Sequence, residues 1–407
     1  MMVAMLLRCR LHPPLMSYIC LLCPASFTFC HLLSSLPPTQ SPIPHVPAAA
    51  GAHRGCRRRD PPPPPAGRPR VPRPRRPRLQ PWRRILSDPA FPRRYRAFHR
   101  APPLLGFLLN RRERDPDPEF VPTAAASPVS SPEFDCDRLW TLDCRHGRVL
   151  FHSIEPTALV VWDPITGGHH YFPEPAHPFS GYAAAVLCAV DGCDHLDCHR
   201  GPFLVVFVSA DHYDNVTRAS LYSSETGAWS YEPACPDFMC DIKRTPCLLA
   251  GDALYFMTGL ALCLVKFDLA QRDLSAIHMP EEYHYSLLGT VMTAEGGRLG
   301  LAGIEEHNLH LWSWQAGADD IEDWVHRAID INSLLPVTAL TTSPRLVGFT
   351  EGSNTVLMNT YVGAFAIELN SMKVRKIGET GLCYSILPYM SFYTPGLSRV
   401  LACDLES

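Results

Sequence analysis

Apolar alternation of period two, returning at a nearly fixed interval, constrains this chain more than any other feature. It reads LVVFVS at 204–209, ALYFMT at 253–258, LCLVKFDL at 262–269, NLHLWSW at 308–314 and GAFAIEL at 363–369. Successive side chains of a strand point to opposite faces, so such runs are half-buried strands. Beyond residue 120 no stretch carries a long helical stripe, and this region is expected to be all-β. A larger unit recurs around the runs: an apolar strand ending in an aromatic or aliphatic residue beside an acid or Ser, a turn, and a strand running to Pro. Its copies are VVWDPITGGHHYFPEP (160–175), ASLYSSETGAWSYEP (219–233), CLVKFDLAQRDLSAIHMP (263–280), LHLWSWQAGADD (309–320) and AFAIELNSMKVRKIG (364–378). The anchor positions Trp162, Tyr222, Phe267, Trp314 and Ile367 lie 60, 45, 47 and 53 residues apart.

Four-stranded blades recur at roughly 40–50 residues in propellers, and longer intervals leave room for loops. Five copies are visible. A sixth blade combines Leu104–Leu108 with the C-terminal strand near Ile386–Tyr393, which closes the ring and removes its exposed sheet edges. The expected fold is a β-propeller of six blades; five or seven blades, or an open pair of sandwiches, are the rivals.

The N-terminal part is a different material. Up to Arg114 it holds 21 of the 37 basic residues, 3 of the 40 acidic ones and 22 of the 41 prolines, leaving 16 bases against 37 acids for the rest. A segment this rich in Pro and Arg buries too little apolar surface to offset its ordering entropy. Residues 1–80 are therefore expected to be a disordered leader. Within it, 15–36 carries no Asp, Glu, Lys or Arg, which suggests a signal or anchor. Pro24 and His31 interrupt that run, and the bland reading is an apolar leader with no membrane as partner. The tract RGCRRRDPPPPPAGRPRVPRPRRPR (54–78) is polyproline-like and basic, but it contains no aromatic residue to stack on bases, so nucleic acid is not expected either. From Trp82 the texture becomes helical: Trp82, Ile85 and Leu86 form one stripe, and Phe91, Tyr95 and Phe98 a second, with Arg93, Arg94 and Arg96 on the wet side. This gives three segments: leader 1–80, helical 81–101 and propeller 102–407.

The densest chemistry is LCAVDGCDHLDCHRG (187–201). Cys193, His195, Cys198 and His199 are its metal candidates, since zinc takes four thiolate or imidazole ligands in a tetrahedron. The spacing lacks the paired C-x2-C knuckles of the familiar sites. The bland reading is a polar hairpin loop carrying thiols, with no metal and no cofactor. The scattered remaining cysteines fit buried free thiols in a reducing compartment, and an intracellular place, cytoplasm or nucleus, follows. His169-His170 is expected in a turn, and Asp319, Asp320, Glu322 and Asp323 in an acidic loop. There is no phosphate-binding Gly-Lys loop, no H-E-x-x-H and no G-x-S-x-G, so no catalytic set is specified.

Taken together, WRRILSDPAFPRRYRAFHRAPPLLGFLLN (82–110), DCRHGRVLF (143–151), VVWDPITG (160–167), GCDHLDCHRGPF (192–203), ETGAWS (225–230) and ILPYMSFYTPG (386–396) resemble plant F-box proteins with a kelch-like F-box-associated propeller. The likeness runs over roughly 82–407. It implies a non-enzymatic, monomeric protein that selects a protein substrate for a cullin-based SCF-type ubiquitin ligase and its degradation pathway. In that family the F-box binds the ligase's small adaptor subunit. Here only its last helix has a counterpart, Trp82, Arg83, Ile85 and Leu86 being the partner-binding candidates. The acidic-apolar helix that precedes it in the family is replaced by the Pro/Arg tract, which leaves the adaptor interface incomplete. A stand-alone binding propeller and an exported propeller enzyme are the alternatives.

Overall fold

The computed structural model describes residues 88, 90–111, 118–124, 127, 129, 137–211, 216–231, 241–259, 263–284, 287, 289–316, 322–340, 344–379 and 383–393. The leader 1–80 and the candidates Trp82, Arg83, Ile85 and Leu86 lie outside the described residues. Among the described residues no helix is long and apolar enough to cross a membrane.

The alternating runs are strands, and they assemble as a six-bladed β-propeller. Blade I holds β3 (Asp137–Arg145), β4 (Arg148–Glu155), β5 (Thr157–Trp162) and β6 (His169–Phe172). Blade II holds β7 (Gly181–Cys188), β8 (Phe203–Asp211), β9 (Val216–Ser223) and β10 (Ala228–Tyr231). Blade III holds β11 (Leu248–Ala250), β12 (Ala253–Met257), β13 (Cys263–Asp268) and β14 (Asp273–His278). Blade IV is β15 (Thr290–Thr293), β16 (Leu299–Glu305), β17 (Asn308–Ala316) and β18 (Glu322–Asp330); blade V is β19 (Arg345–Thr350), β20 (Thr355–Thr360), β21 (Gly363–Glu368) and β22 (Lys373–Gly378). Each of these five sheets is an antiparallel meander in sequence order. All five anchors sit on the third strand of their blade, so the repeat was phased correctly by its spacing alone.

Blade VI is built from both ends of the described chain. Its order is β2 (Glu119–Pro122), β1 (Leu104–Arg111), β23 (Cys383–Met390), with Leu108 opposite Leu387 and Leu109 opposite Ile386. Of the innermost strands, β3 neighbours β7 and β23, β15 neighbours β11 and β19, and β19 neighbours β23. Because β23 pairs only with β1, its other edge needs no ladder donor, and Pro388 is tolerated there. Buried Asn110 clasps blade VI to blade I. Its side-chain amide donates to the Thr141 carbonyl and to Ser385 Oγ, both at 2.7 Å, and its oxygen accepts the Thr141 N–H at 2.9 Å.

Period two explains the packing. On β7, Ala183, Ala185 and Leu187 join the core shared with blade III, whereas Tyr182, Ala184 and Val186 join the core shared with blade I. The same division produces a buried apolar cluster at each of the six blade interfaces. A blade is thus a sheet buried on both faces; at the blade IV to blade V interface Ala339 and Leu340, from the helical turn before blade V, join the core.

Before the ring, α1 (Phe91–His99) follows a turn in which the Asp88 carboxylate accepts the Ala90 N–H at 2.9 Å. Tyr95 meets Phe392 edge-on at 6.1 Å and Arg96 pairs with Asp197, so the inward face runs Tyr95, Arg96, His99. Phe98, expected on the apolar stripe, is 79% exposed, and Arg96, expected on the wet side, is turned inward by its carboxylate partner. The second described α-helix, α2 (Val337–Leu340), is a single turn before blade V.

Candidate functional site

All innermost strands run in one direction, so one end of the ring collects their starts and the other their finishes. The starting end is aromatic and basic. Trp140 on β3 lies 5.4 Å from Tyr384 on β23, and the Arg244 guanidinium sits 4.3 Å from the Tyr182 ring centroid and 5.7 Å from that of Trp140. Stacking of this kind aims a guanidinium without neutralising it. Lys243 is beside them; burial, then the nearby Arg345, pushes its amine below the ordinary lysine value. Tyr384 is 45% exposed, so the patch opens to solvent. Beneath it, the Tyr182 hydroxyl bonds His152 Nδ1, and His152 Nε2 meets Glu174. The order resembles a catalytic relay, but burial pushes the Tyr182 hydroxyl well above its ordinary value, the reverse of what an activated nucleophile needs.

The finishing end is roofed. Residues 189–202, the connection from β7 to β8, fold over it, and this loop accounts for the long interval between Trp162 and Tyr222. A cavity of about 250 Å³ lies beneath, lined among others by Arg145, His146, His195, His199 and Glu351. Arg145 crosses the axis: Nε is 3.4 Å from Asp143 Oδ2, Nη2 donates to the Cys247 carbonyl at 3.3 Å, and Nη1 is 3.6 Å from Glu351 Oε1. Burial alone would lower the guanidinium's proton affinity; Asp143 and Glu351 overturn this and raise it. His146 stacks on His195 with centroids 4.0 Å apart, and burial, followed by His195 and the two neighbouring arginines, drives it down to about 3. His146 is neutral at physiological pH.

Three devices hold the roof. Arg148, buried in the β3–β4 corner, donates from Nη2 to the carbonyls of Cys198 and Gly201. Arg96 pairs with Asp197. His199 Nδ1 lies 2.8 Å from Asp163 Oδ2. Asp163 belongs to the VVWDPITG turn, where its Oδ1 accepts the Ile165 and Thr166 N–H groups at 2.9 and 3.2 Å. Burial raises the Asp163 carboxyl, but the bonds from His199 and Thr166 outweigh it and hold the group below its ordinary value. The sign follows: a depressed carboxylate stabilises the fold above the unfolded-state pKa and loses that contribution as pH falls through the folded-state value. Asp163→Asn keeps the turn acceptors but loses the charge. It is expected to lower stability by about 1–2 kcal/mol at neutral pH, with the gap to wild type closing below about pH 4. Urea titrations at pH 7 and pH 3.5 measure it, and a pH-independent gap refutes the assignment.

The sequence candidates divide here. Cys193, His195 and Cys198 come together, with Cys188 as their fourth member; the ligand atoms of these four all lie within 4.8 Å of one another. His199 does not join them, because it is engaged by Asp163 and approaches Asp197 at 3.3 Å. Burial, then the Cys188 thiol in hydrogen-bonding contact, pushes Cys198 up to about 12. Cys188 belongs to the same sequence cluster but was not among its four metal candidates; it closes β7, and it takes the place expected of His199. Of the other candidates, His169 and His170 open β6 instead of a turn, His170 Nε2 lying 3.0 Å from the Tyr222 hydroxyl. Glu322 and Asp323 open β18, while Asp319 and Asp320 fall outside the described residues.

A family model described as F-box protein AT5G49610-like, beta-propeller matches residues 140–397. No curated protein sequence matches the chain. Three similar solved structures are a nidogen/laminin complex (9% identity, 71% of this chain and 99% of that one, TM-score 0.44), a protein from Lactobacillus plantarum (10%, 70% and 99%, 0.38) and TolB from Acinetobacter baumannii (13%, 74% and 70%, 0.38).

Proposed function

The chain belongs to the F-box protein AT5G49610-like β-propeller family, and from that premise we propose that it is a non-enzymatic substrate receptor of a cullin-based SCF-type ubiquitin ligase. The observation that carries the substrate-selecting half is the aromatic and basic mouth. Arg244, Lys243 and Arg345 with Trp140 and Tyr384 form an open patch that suits an acidic protein segment carrying an aromatic or aliphatic side chain. In this reading residues 1–80 are a leader, 81–101 the F-box remnant and 102–407 the receptor. The protein acts as a monomer inside the cell, and it needs no cofactor.

The docking half rests on Trp82, Arg83, Ile85 and Leu86, a single short apolar stripe in the sequence that offers the adaptor far less area than a stable interface requires. Co-expression of the full chain with the adaptor subunit is expected to give little or no complex. A chain in which a complete F-box replaces residues 1–101 is expected to co-purify with the adaptor stoichiometrically. Failure of that chimera to dock, with its propeller folded, removes the ligase reading and leaves a stand-alone binding propeller. The mouth is tested separately: Arg244→Glu with Lys243→Glu is expected to weaken capture of a fluorescent Glu-rich peptide with one Tyr by at least about tenfold, a change near 1.4 kcal/mol. Unchanged affinity places the substrate elsewhere.

A further inference from the structure

We propose that Cys188, Cys193, His195 and Cys198 form a structural zinc site that fixes the roof of the propeller. The inference stands on the loop itself and is independent of any ligase role.

Four donors from one short segment converge, their ligand atoms all within 4.8 Å of one another. A tetrahedral zinc with Zn–S near 2.3 Å and Zn–N near 2.0 Å sets neighbouring ligand atoms about 3.5–3.8 Å apart. The Cys198 Sγ to His195 Nδ1 distance is already 3.7 Å. Closing the remaining pairs takes movements of about an ångström or less, at two loop thiols and one at the end of β7. Three thiolates and one imidazole are a soft to borderline set that selects zinc over magnesium or calcium, and four protein ligands leave no open position for substrate. The site is therefore structural rather than catalytic.

The surroundings are those of a thiolate centre. The Val190 N–H points to Cys188 Sγ at 3.5 Å and the His195 N–H to Cys193 Sγ at 3.4 Å, so backbone donors already face two of the sulfurs. On binding, each thiol gives its proton to solvent as its Zn–S bond forms: three protons leave, and Zn²⁺ with three thiolates and a neutral imidazole carries a net charge of −1. Arg148, 1% exposed and bonded to the Cys198 carbonyl, places a buried cation next to that charge. One of its own donors, Nη1, has no hydrogen-bond partner. The backbone is shaped for convergence as well: Gly192 at φ 63° and His195 at φ 55° occupy the left-handed region, and the only helical piece is the three-residue turn Cys198–Arg200. A polar loop with this little regular structure gains most from a cross-link. Cys188, Cys193 and Cys198 are all free thiols, so no disulfide supplies it.

The test uses the full chain, purified reduced and dialysed against a weak chelator. Elemental analysis is expected to give one zinc per chain, and cobalt exchange a tetrahedral spectrum with thiolate-to-cobalt charge transfer. Cys188→Ser and Cys198→Ser are expected to lose the metal, and His199→Ala to retain it, since His199 faces Asp163. To keep the test independent of whether a Cys variant folds, wild-type thiols are also titrated: three should react with a disulfide reagent only after a strong chelator is added. The inference is overturned by folded wild-type chain without zinc, by immediate reaction of those three thiols, by a disulfide among them in the mass spectrum, or by metal lost in His199→Ala and kept in Cys188→Ser.

Discussion

Arg145→Met is expected to lower the stability of the propeller by about 3–5 kcal/mol, although methionine keeps the apolar stem of the side chain it replaces. The reason is the charge left behind. Asp143 is 2% exposed, and its Oδ2 also accepts the Val186 N–H at 2.9 Å, so the carboxylate cannot turn to water without breaking a blade I to blade II contact. Removing the guanidinium leaves that carboxylate buried and uncompensated, and it also unties Cys247 of blade III and Glu351 of blade V. Lysine at 145 recovers only part of the loss, because an ammonium lacks the planar fork that reaches three blades. The double variant Arg145→Met/Asp143→Asn is expected to be more stable than Arg145→Met alone, a sign reversal that a simple cavity cannot produce. Urea midpoints at constant slope read all three variants. A single-variant loss under about 1 kcal/mol removes Arg145 from its place as the electrostatic hub.

What could be read from the sequence divides along a physical line. Alternation is a local property, so the strands, their phase within each blade and the pairing of Leu104–Leu108 with Ile386–Tyr393 were all legible before any coordinates. Burial of both faces did not follow: alternation predicts half-buried strands, whereas β4 and β8 are buried along most of their length because each blade sits between two others. Contacts between blades were not legible. Trp140, Arg244 and Tyr384 come from blade I, the approach to blade III and blade VI, and no spacing rule joins them. Asp163 reads as a turn residue, which it is; its hold on His199 depends on where blade II's long loop returns. Phe98 fails for a related reason: helical periodicity gives a stripe, but a carboxylate on the ring at Asp197 decided which face turned inward. The cysteine cluster was half visible. Loop proximity gathered Cys193, His195 and Cys198, but spacing could not choose between Cys188 and His199 as the fourth member, since that depends on the hold of Asp163 on His199.

Ending the chain at Glu379 removes one strand and is expected to remove the cooperative fold with it. The strand lost, β23, serves two interfaces at once. Leu387 and Tyr389 enter the blade VI to blade I core with Leu108, Val149 and Phe151, while Ile386 and Cys383 enter the blade V to blade VI core with Phe107, Leu357 and Ala364. Ile386 and Leu387 contribute about 1.5–3 kcal/mol each by burial alone. Beyond them go the ladder to β1, the Tyr389 hydroxyl bond to the Gly147 carbonyl at 3.2 Å and the Asn110 clasp, whose partner Ser385 is deleted. Set against a total of about 5–15 kcal/mol for a typical domain, this is most of what there is to lose. The exposed inner side of β1 would also become an unpaired edge, so the truncated chain should aggregate as well as unfold. Circular dichroism is expected to show no cooperative melt, and adding residues 380–393 back as a separate peptide should restore part of it. An open five-bladed chain that melts cooperatively near the wild-type temperature would mean that closure contributes little, and that the inter-blade cores sustain the ring without it.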